Sequence, residues 1–269
     1  MNAHPSFSLV LPVYQRASLM CPVLRSIALA RTPPDEVIMV NDGKRDDDLL
    51  LLAGLFTTAQ PRITWKVINT GREEKAYRNS SYPYNVGIKA AQGDVIIYCA
   101  GELIHLPDNF YILRANYGSD KFLIGGTILF EAEKTNFSSE QRNDPQDIID
   151  SGNYDFWHED YYGNEFAHMM MKNTRSGVHA VSRSALIDVG GFEESLTAWG
   201  HNDGQMRRRM VNLLGLEQVM LPSVITIHQW HPRPPQDNMS HSTSDRLIAE
   251  SAPLVANRGK EWGIVHESY

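Results

Sequence analysis

FSLVLPVYQR (Phe7–Arg16) and PPDEVIMVNDGKRDDD (Pro33–Asp48) are the two stretches that decide the fold. The first is a short apolar run stopped by Pro12. The second carries Val37, Ile38, Met39 and Val40 without a polar interruption, the pattern of a parallel strand buried on both faces. Between them Ser18 to Ala30 reads as a helix, so the segment is strand, helix, strand. The right-handed crossover of such a unit brings both carboxyl ends to one edge of the sheet, where ligands of open α/β sheets bind. Pro12, Val13 and Tyr14 stand at the first end, and Asn41, Asp42 and Gly43 at the second. Asn-Asp-Gly is also a good turn in its own right, so these three residues serve equally as a connection or as ligand contacts.

Working outward, KAYRNSSYPYNVGIKAAQGDVIIYCAGELIHLPDNF (Lys75–Phe110) holds a helix from Asn85 to Ala91, ended by Gly93-Asp94, and a further buried strand, Val95 to Tyr98. Lys75 and Arg78 suit diphosphate oxygens, one as a point charge and one as a bidentate fork, or else belong to a solvated face. In GGFEESLTAWGHNDGQMRRRM (Gly190–Met210) the paired glycines permit a sharp turn that delivers Phe192 to a core and Glu193 and Glu194 to solvent. Met206, Met210, Leu213 and Leu214 then recur at roughly helical spacing, which leaves Arg207, Arg208 and Arg209 on solvent-facing sides. Asp203, where this helix begins, is either its cap or a general base. In VMLPSVITIHQWHP (Val219–Pro232) a late strand, Val224 to Ile227, ends at His228. On an extended strand His228 and His231 face opposite sides, so both reach one ion only if the backbone turns near Trp230; His228 alone is the favoured ligand.

These blocks, in this order, resemble the family-2-type glycosyltransferases with a GT-A fold. The run through Asn41-Asp42-Gly43 is similar to that family's nucleotide site, with Asp42 in the place of the acid that hydrogen-bonds the base and Asn41 replacing the acid before it. Asn85, Gly87, Ala90, Ala91 and Gly93 match the family's ARNxGIxxAxG pattern, while Tyr84 stands where Arg is usual. The block from Gly190 is similar to GGFDE…WGxED, in which the acid before the helix deprotonates the acceptor hydroxyl. Asn202 replaces the first acid of that pair and leaves Asp203 as the only carboxylate for the role. The main departure follows Tyr98. Where the family carries its metal-binding Asp-x-Asp, this chain reads Cys99-Ala100-Gly101-Glu102, and the register set by Pro107 puts Glu102 at the last acid.

The resemblance implies an α/β, Rossmann-like, mostly parallel central sheet flanked by helices. It implies one domain over 1–231, with a donor half over about 7–129 and an acceptor half over about 130–231. An extension over 232–269, a linker with a short helix near Ser244 to Val255 or a tail, follows. The implied activity is inverting transfer of a sugar from a nucleotide-sugar donor, a UDP-sugar foremost, to a glycan, lipid-linked or other hydroxyl acceptor. Donor contacts would come from Pro12, Val13, Tyr14, Asp42, Lys75, Arg78, Asn85 and Gly101; acceptor contacts from His179, Trp199, Gly200, His201 and Asn202; and the base from Asp203. Mn²⁺ or Mg²⁺ on Glu102 and His228 would meet the charge developing on the leaving diphosphate, since these ions often use one or two carboxylates beside phosphate. Imidazole favours Mn²⁺ of the two. The missing Asp-x-Asp raises a rival, a degenerate sugar-nucleotide-binding or regulatory protein. A nucleotidyltransferase would show a glycine-rich basic loop at the first strand, and Leu9 to Arg16 contains no glycine.

Composition narrows the classes further. With 269 residues and 42% apolar content the chain can bury a sizeable core. A net charge of −7 and a pI of ≈ 5.8 disfavour nonspecific nucleic-acid binding and a polybasic membrane anchor. Cys21 and Cys99 are too few for a disulfide framework. No apolar stretch approaches about 18 residues and no signal pattern opens the chain, so the expectation is a soluble, cytoplasmic protein. From Phe130 to Thr174 the family pattern fades into polar turns, aromatics and methionines, where Trp157, Tyr161 and Tyr162 are suited to stacking on sugar rings.

Overall fold

Strand β1 (Phe7–Val13) lies between β2 (Glu36–Asn41) and β4 (Val95–Cys99) and runs parallel to both. A computed structural model describes residues 4–72, 79–129, 177–196, 202–229, 231 and 255–265. Lys75, Arg78, Trp199, Gly200, His201, the 130–174 segment and the helix expected from Ser244 lie outside the described residues. β3 (Thr64–Asn69) continues the sheet beside β2, again parallel. On the other side come β7 (Val178–Ser182), β6 (Lys121–Leu129), β8 (Glu217–His228) and β5 (Leu103–His105), in the order 3-2-1-4-7-6-8-5. β7 is antiparallel to both β4 and β6, and β5 to β8, whereas β6 and β8 are parallel. The amino-terminal half is thus the parallel sheet expected, and the other half is mixed.

Helices cover both faces. Leu9 and Leu11 of β1 with Val37 and Met39 of β2 pack on one side, in one cluster with Val23, Leu24 and Ile27 of α1 (Met20–Ala28), Leu49 of α2 (Asp47–Ala59) and Phe110 of α4 (Asn109–Asn116). Val10, Ile38 and Val40 point the other way, toward α3 (Ser81–Ala90), α5 (Arg183–Asp188) and α6 (Asn202–Arg208). Each such fully buried side chain contributes about 1.5–3 kcal/mol. That is why the unbroken apolar runs, rather than alternating ones, mark these strands.

Two boundaries differ from the sequence expectation for local reasons. α3 starts at Ser81, four residues before Asn85, because the Asn79 carboxamide accepts from the Ser81 N–H (2.9 Å) and hydroxyl (2.6 Å) and so caps the first turn. Pro83 is tolerated there since a first-turn N–H would have no intrahelical acceptor, so the N–H that proline lacks costs no bond. β8 spans twelve residues instead of four, with Pro222 in a bulge where pairing jumps from Gly125–Leu221 to Gly126–Ile225. A Cβ on Gly125 would lie 2.5 Å from Val224, so the bulge packs only against glycine.

At the far edge from the strand carboxyl ends, Glu36 ties four segments together. Ser8 Oγ (2.5 Å), the Gln92 N–H (2.9 Å) and Lys66 Nζ all donate to its carboxylate. Burial alone would raise this carboxyl, and these bonds outweigh it, leaving it below the ordinary value. The stabilisation is therefore complete above the unfolded value of about 4.3 and is lost as pH falls through the lowered folded one. Glu36→Ala, which strands the lysine, is expected to cost roughly 3 kcal/mol in urea unfolding at pH 7. The difference from wild type should shrink below about pH 4.

Candidate active site

The ladder between β1 and β4 ends at Val10–Tyr98, and beyond it the two strands part. Pro12, which has no N–H to give, sits past this point without costing a bond to β4. Gly101 then returns against Pro12, where an added Cβ would stand 2.3 Å from the Pro12 carbonyl oxygen. Gly101 thus has a steric role: only glycine lets Glu102 come this close to the end of β1. β5 follows and pairs with β8 so that Leu103 lies opposite His228. Glu102 and the residues after His228 are brought together by strand pairing.

Glu102 is buried, and each of its oxygens is occupied. His228 Nε2 lies 3.1 Å and His231 Nε2 3.2 Å from Oε1, while Arg16 Nη1 lies 2.9 Å from Oε2. Burial by itself would raise the carboxyl, but hydrogen bonds from both histidines and the Arg16 charge hold it well below the usual carboxylate range. The convergence of His231 corrects the expectation that His228 acts alone. β8 ends at His228, and the Gln229 carboxamide is tied to the carbonyls of Leu19 (2.9 Å) and Glu102 (3.1 Å). The chain leaves its extended path, and the two rings come to 5.2 Å between centroids. Arg16 arrives through Gln15, whose φ of 53° is a left-handed conformation that costs a non-glycine residue about 1–3 kcal/mol.

The ligand atoms of Glu102, His228 and His231 lie within 4.8 Å of one another. One carboxylate oxygen and two imidazole nitrogens form a donor set that suits a divalent transition ion such as Mn²⁺ better than Mg²⁺. Arg16 takes the second oxygen, so the first, which both histidines face, is the one placed to act as a monodentate ligand. Gly101→Ala is expected to push Glu102 off this position and weaken Mn²⁺ binding at least tenfold by calorimetric titration.

The second part of the site lies at the carboxyl ends of β1 and β2. An open cleft of ≈ 320 Å³ is lined there by Tyr14, Gln15, Asn41, Gly43, Lys44 and Arg45, and by the acids Asp46, Asp47 and Asp48. Asp42 is buried beside it, its N–H donating to the Val13 carbonyl at 2.8 Å. The Asp42 carboxylate accepts from Thr70 Oγ1 (3.1 Å) and from Arg72 Nη1 (3.3 Å to each oxygen). Arg72, which the motifs did not single out, also lies 4.5 Å above the Tyr82 ring. Asn41 closes the turn through Lys44 O (2.5 Å) and Asn69 Oδ1 (2.8 Å), an amide role that the usual acid could not play.

The third part surrounds Asp203, the second residue of α6 and so not its cap. Burial pushes its carboxyl up to about 7. Burial raises the phenols of Tyr84 and Tyr98 well above the usual tyrosine range, and the Asp203 charge adds to this at both. Asn202 Nδ2 donates to Ser80 Oγ (3.0 Å), pinning the start of α6 to that of α3.

Four expectations are corrected by packing. Asn85 is fully buried and faces the Gly190–Phe192 turn instead of a donor: Phe192 N–H donates to Asn85 Oδ1 (2.7 Å), and Asn85 Nδ2 to Phe192 O (2.8 Å). His179 sits in the core, stacked on Tyr98 (4.6 Å) and Phe122 (5.5 Å), where burial depresses its ring to about 3 and keeps it neutral. Glu193 is buried and Glu194 partly so, rather than both facing solvent. Glu193 lies 3.9 Å from Arg209, which is 1% exposed and not on the outer face. Arg209 continues the buried stripe of Asn202, Gln205 and Met206 at ordinary helical spacing, which carries it inward beside Met210.

A sheet that is parallel in its first half and mixed in its second, flanked by helices, is the GT-A-like fold. The chain belongs to glycosyl transferase family 2, whose family model matches residues 8–181, well over half of its length. The model for the N-terminal domain of galactosyltransferase also matches, over residues 165–230. No curated protein matches by sequence. Among solved structures, a mannosyltransferase from Pyrobaculum calidifontis, in complex with GDP-Man and Mn²⁺, is similar at 15% identity and a TM-score of 0.56, over 86% of this chain and 59% of that one. S. aureus TarS is similar at 16% identity and a TM-score of 0.57, over 84% and 37%. Glucosyl-3-phosphoglycerate synthase from Mycobacterium tuberculosis, in complex with Mn²⁺, UDP and glucosyl-3-phosphoglycerate, is similar at 17% identity and a TM-score of 0.50, over 85% and 73%. The chain spans less than two thirds of the first two. Among the described residues no helix is long and apolar enough to cross a membrane.

Proposed function

We propose that this glycosyltransferase moves a sugar from a nucleoside-diphosphate donor to an acceptor hydroxyl with inversion, Asp203 acting as base. The observation that carries the reading is the Glu102–His228–His231 cluster, which supplies three metal ligands where the family's Asp-x-Asp has been reduced to one acid. The nucleoside end of the donor lies in the cleft at Tyr14 and Gly43, with Asp42 beside it. The diphosphate then extends along the end of β1 toward Arg16 and Glu102. A divalent ion bound there supplies positive charge to the leaving diphosphate. Arg16 adds a guanidinium at the same place and holds the Glu102 carboxylate ionised, so the site keeps a net attraction for anionic oxygens. Asp203 takes the acceptor proton as the hydroxyl oxygen attacks C1. The electron pair of the breaking C1–O bond leaves with the diphosphate.

A carboxyl raised to about 7 suits the task, since a base is most effective when its pKa lies near the working pH. Among the described residues no cation pairs with Asp203, which leaves its charge available to a hydroxyl. The test is release of nucleoside diphosphate from a panel of UDP- and GDP-sugars, with simple sugars and lipid-linked sugars as acceptors, in Mn²⁺, Mg²⁺ or chelator. Turnover is expected with one donor class, faster in Mn²⁺ than in Mg²⁺ and absent with chelator. Donor binding without turnover in every combination, indifferent to chelator, would instead support the degenerate sugar-nucleotide-binding protein.

A further inference from the structure

The carboxy-terminal segment 255–265 lies beyond the residues that either family model matches, yet it is bonded into the turn that precedes Asp203. Asn257, itself in a left-handed conformation (φ 48°), is the centre of this contact. Its Nδ2 donates to Gly190 O (2.9 Å) and Phe192 O (2.7 Å), and its Oδ1 accepts from the Glu194 N–H (3.1 Å). Both ends of one carboxamide are therefore used on a single turn. The Ala256 N–H donates to Val189 O (2.7 Å), and the Gly263 N–H to Glu194 Oε1 (2.8 Å). The same Glu194 oxygen accepts from Asn85 Nδ2 (2.7 Å), so α3, the turn and the segment share one network.

The fit is close enough to explain both glycines of the turn. A Cβ on Gly190 would lie 2.2 Å from the Ala256 carbonyl oxygen, and one on Gly191 2.4 Å from Asn85 Oδ1 and 2.8 Å from the Trp262 ring. The φ values of 75° and 69° close α5 whatever follows, but these distances show the segment filling the space at Gly190 and sharing with Asn85 the space at Gly191. The turn in turn shapes the site. Phe192 stacks on Tyr84 (4.8 Å) and meets Tyr98 edge-on (5.2 Å), the two rings whose ionisation Asp203 opposes. Glu193, the next residue, faces the buried Arg209 at the end of α6.

We infer that segment 255–265 is a clasp that sets the position of Asp203 through the Gly190–Glu194 turn, with Asn257 as its positioning residue. The inference rests on Asp203 being the base. It gives the carboxy-terminal extension a role in turnover and none in donor or metal binding, because its contacts lie on the α3 and α6 side of the sheet. Asn257→Ala removes all three carboxamide bonds. Trp262→Ala loosens the other end, where Trp262 carries only packing and the Lys89 ammonium at 4.0 Å.

The experiment measures kcat and both KM values for wild type, Asn257→Ala, Trp262→Ala, Asp203→Asn and the Asp203→Asn/Asn257→Ala double variant. Mn²⁺ affinity and amide hydrogen exchange are measured on the same samples. Asn257→Ala is expected to lower kcat at least tenfold, and Trp262→Ala about threefold. The donor KM and Mn²⁺ affinity should stay within twofold, and exchange should rise over 202–208 but not over β1 or β2. In the Asp203→Asn background, Asn257→Ala should have no further effect, because a residue acting through the base loses its influence when the base is gone. Multiplying effects in the double variant, or equal losses in donor binding and kcat, would overturn the clasp and leave a merely structural segment. If Asp203→Asn itself leaves turnover unchanged, the base assignment fails and the clasp falls with it. If Asp203→Asn abolishes turnover while both clasp variants remain fully active, only the clasp fails.

Discussion

Glu102→Ala is expected to abolish measurable Mn²⁺ binding and to lower kcat by about 10³, a loss of roughly 4 kcal/mol of transition-state stabilisation. Its effect is the largest because one carboxylate holds Arg16, His228 and His231 together. Without it His228 and His231 lose their common anchor, and Arg16 loses the partner that holds it at the end of β1. Glu102→Gln keeps the shape but not the charge, and should recover folding without recovering metal affinity. His231→Ala, a residue that extended-strand geometry discounts, should weaken Mn²⁺ binding at least tenfold. Calorimetric titration with Mn²⁺, read beside thermal unfolding, checks all three. Full Mn²⁺ affinity in Glu102→Gln would remove the metal assignment.

The second large effect is at Asp203. Asp203→Asn is expected to lower kcat by about 10²–10⁴, the range for loss of a general base, with little change in donor KM. In the wild type, kcat/KM should rise with pH through about 7 and level off above it, because only the ionised carboxyl accepts the acceptor proton. The same carboxyl carries a stability signature of opposite sense to that of Glu36. Its folded pKa is raised, so between the unfolded value of about 3.9 and about 7 the native state binds more protons than the unfolded state. Its contribution therefore falls as pH rises through that window. Asp203→Asn, which removes a desolvated charge, should raise the midpoint of thermal unfolding relative to wild type at pH 8 and change it little at pH 4. A pH–rate profile flat from 5 to 9 in the wild type, with turnover surviving in the variant, would exclude the base.

Much of the fold was legible because it is written in local patterns. The uninterrupted Val37–Val40 run, the stop at Pro12, and Gly190-Gly191 before Phe192 each reflect a constraint acting within a few residues. The family's spacing then located Asp42, Glu102 and Asp203. What these patterns could not carry are the contacts made by pairing and packing across the chain. Leu103 lies opposite His228 only because β5 adds antiparallel to β8, and that register, with the bend at Gln229, brings His231 to Glu102. Arg209 reads as an outer-face residue from its charge, yet it falls on the buried stripe of Asn202, Gln205 and Met206 and faces Glu193. Asn85 matches its motif, yet its carboxamide is spent on a turn more than a hundred residues away. The sequence by itself determined the parallel half of the sheet, since hydrophobic periodicity and turn chemistry act over short separations. Tertiary structure decided which histidines meet Glu102, what Asn85 and Asn257 hold, and how far Asp203 is desolvated, because each depends on which distant backbone fills the adjoining space.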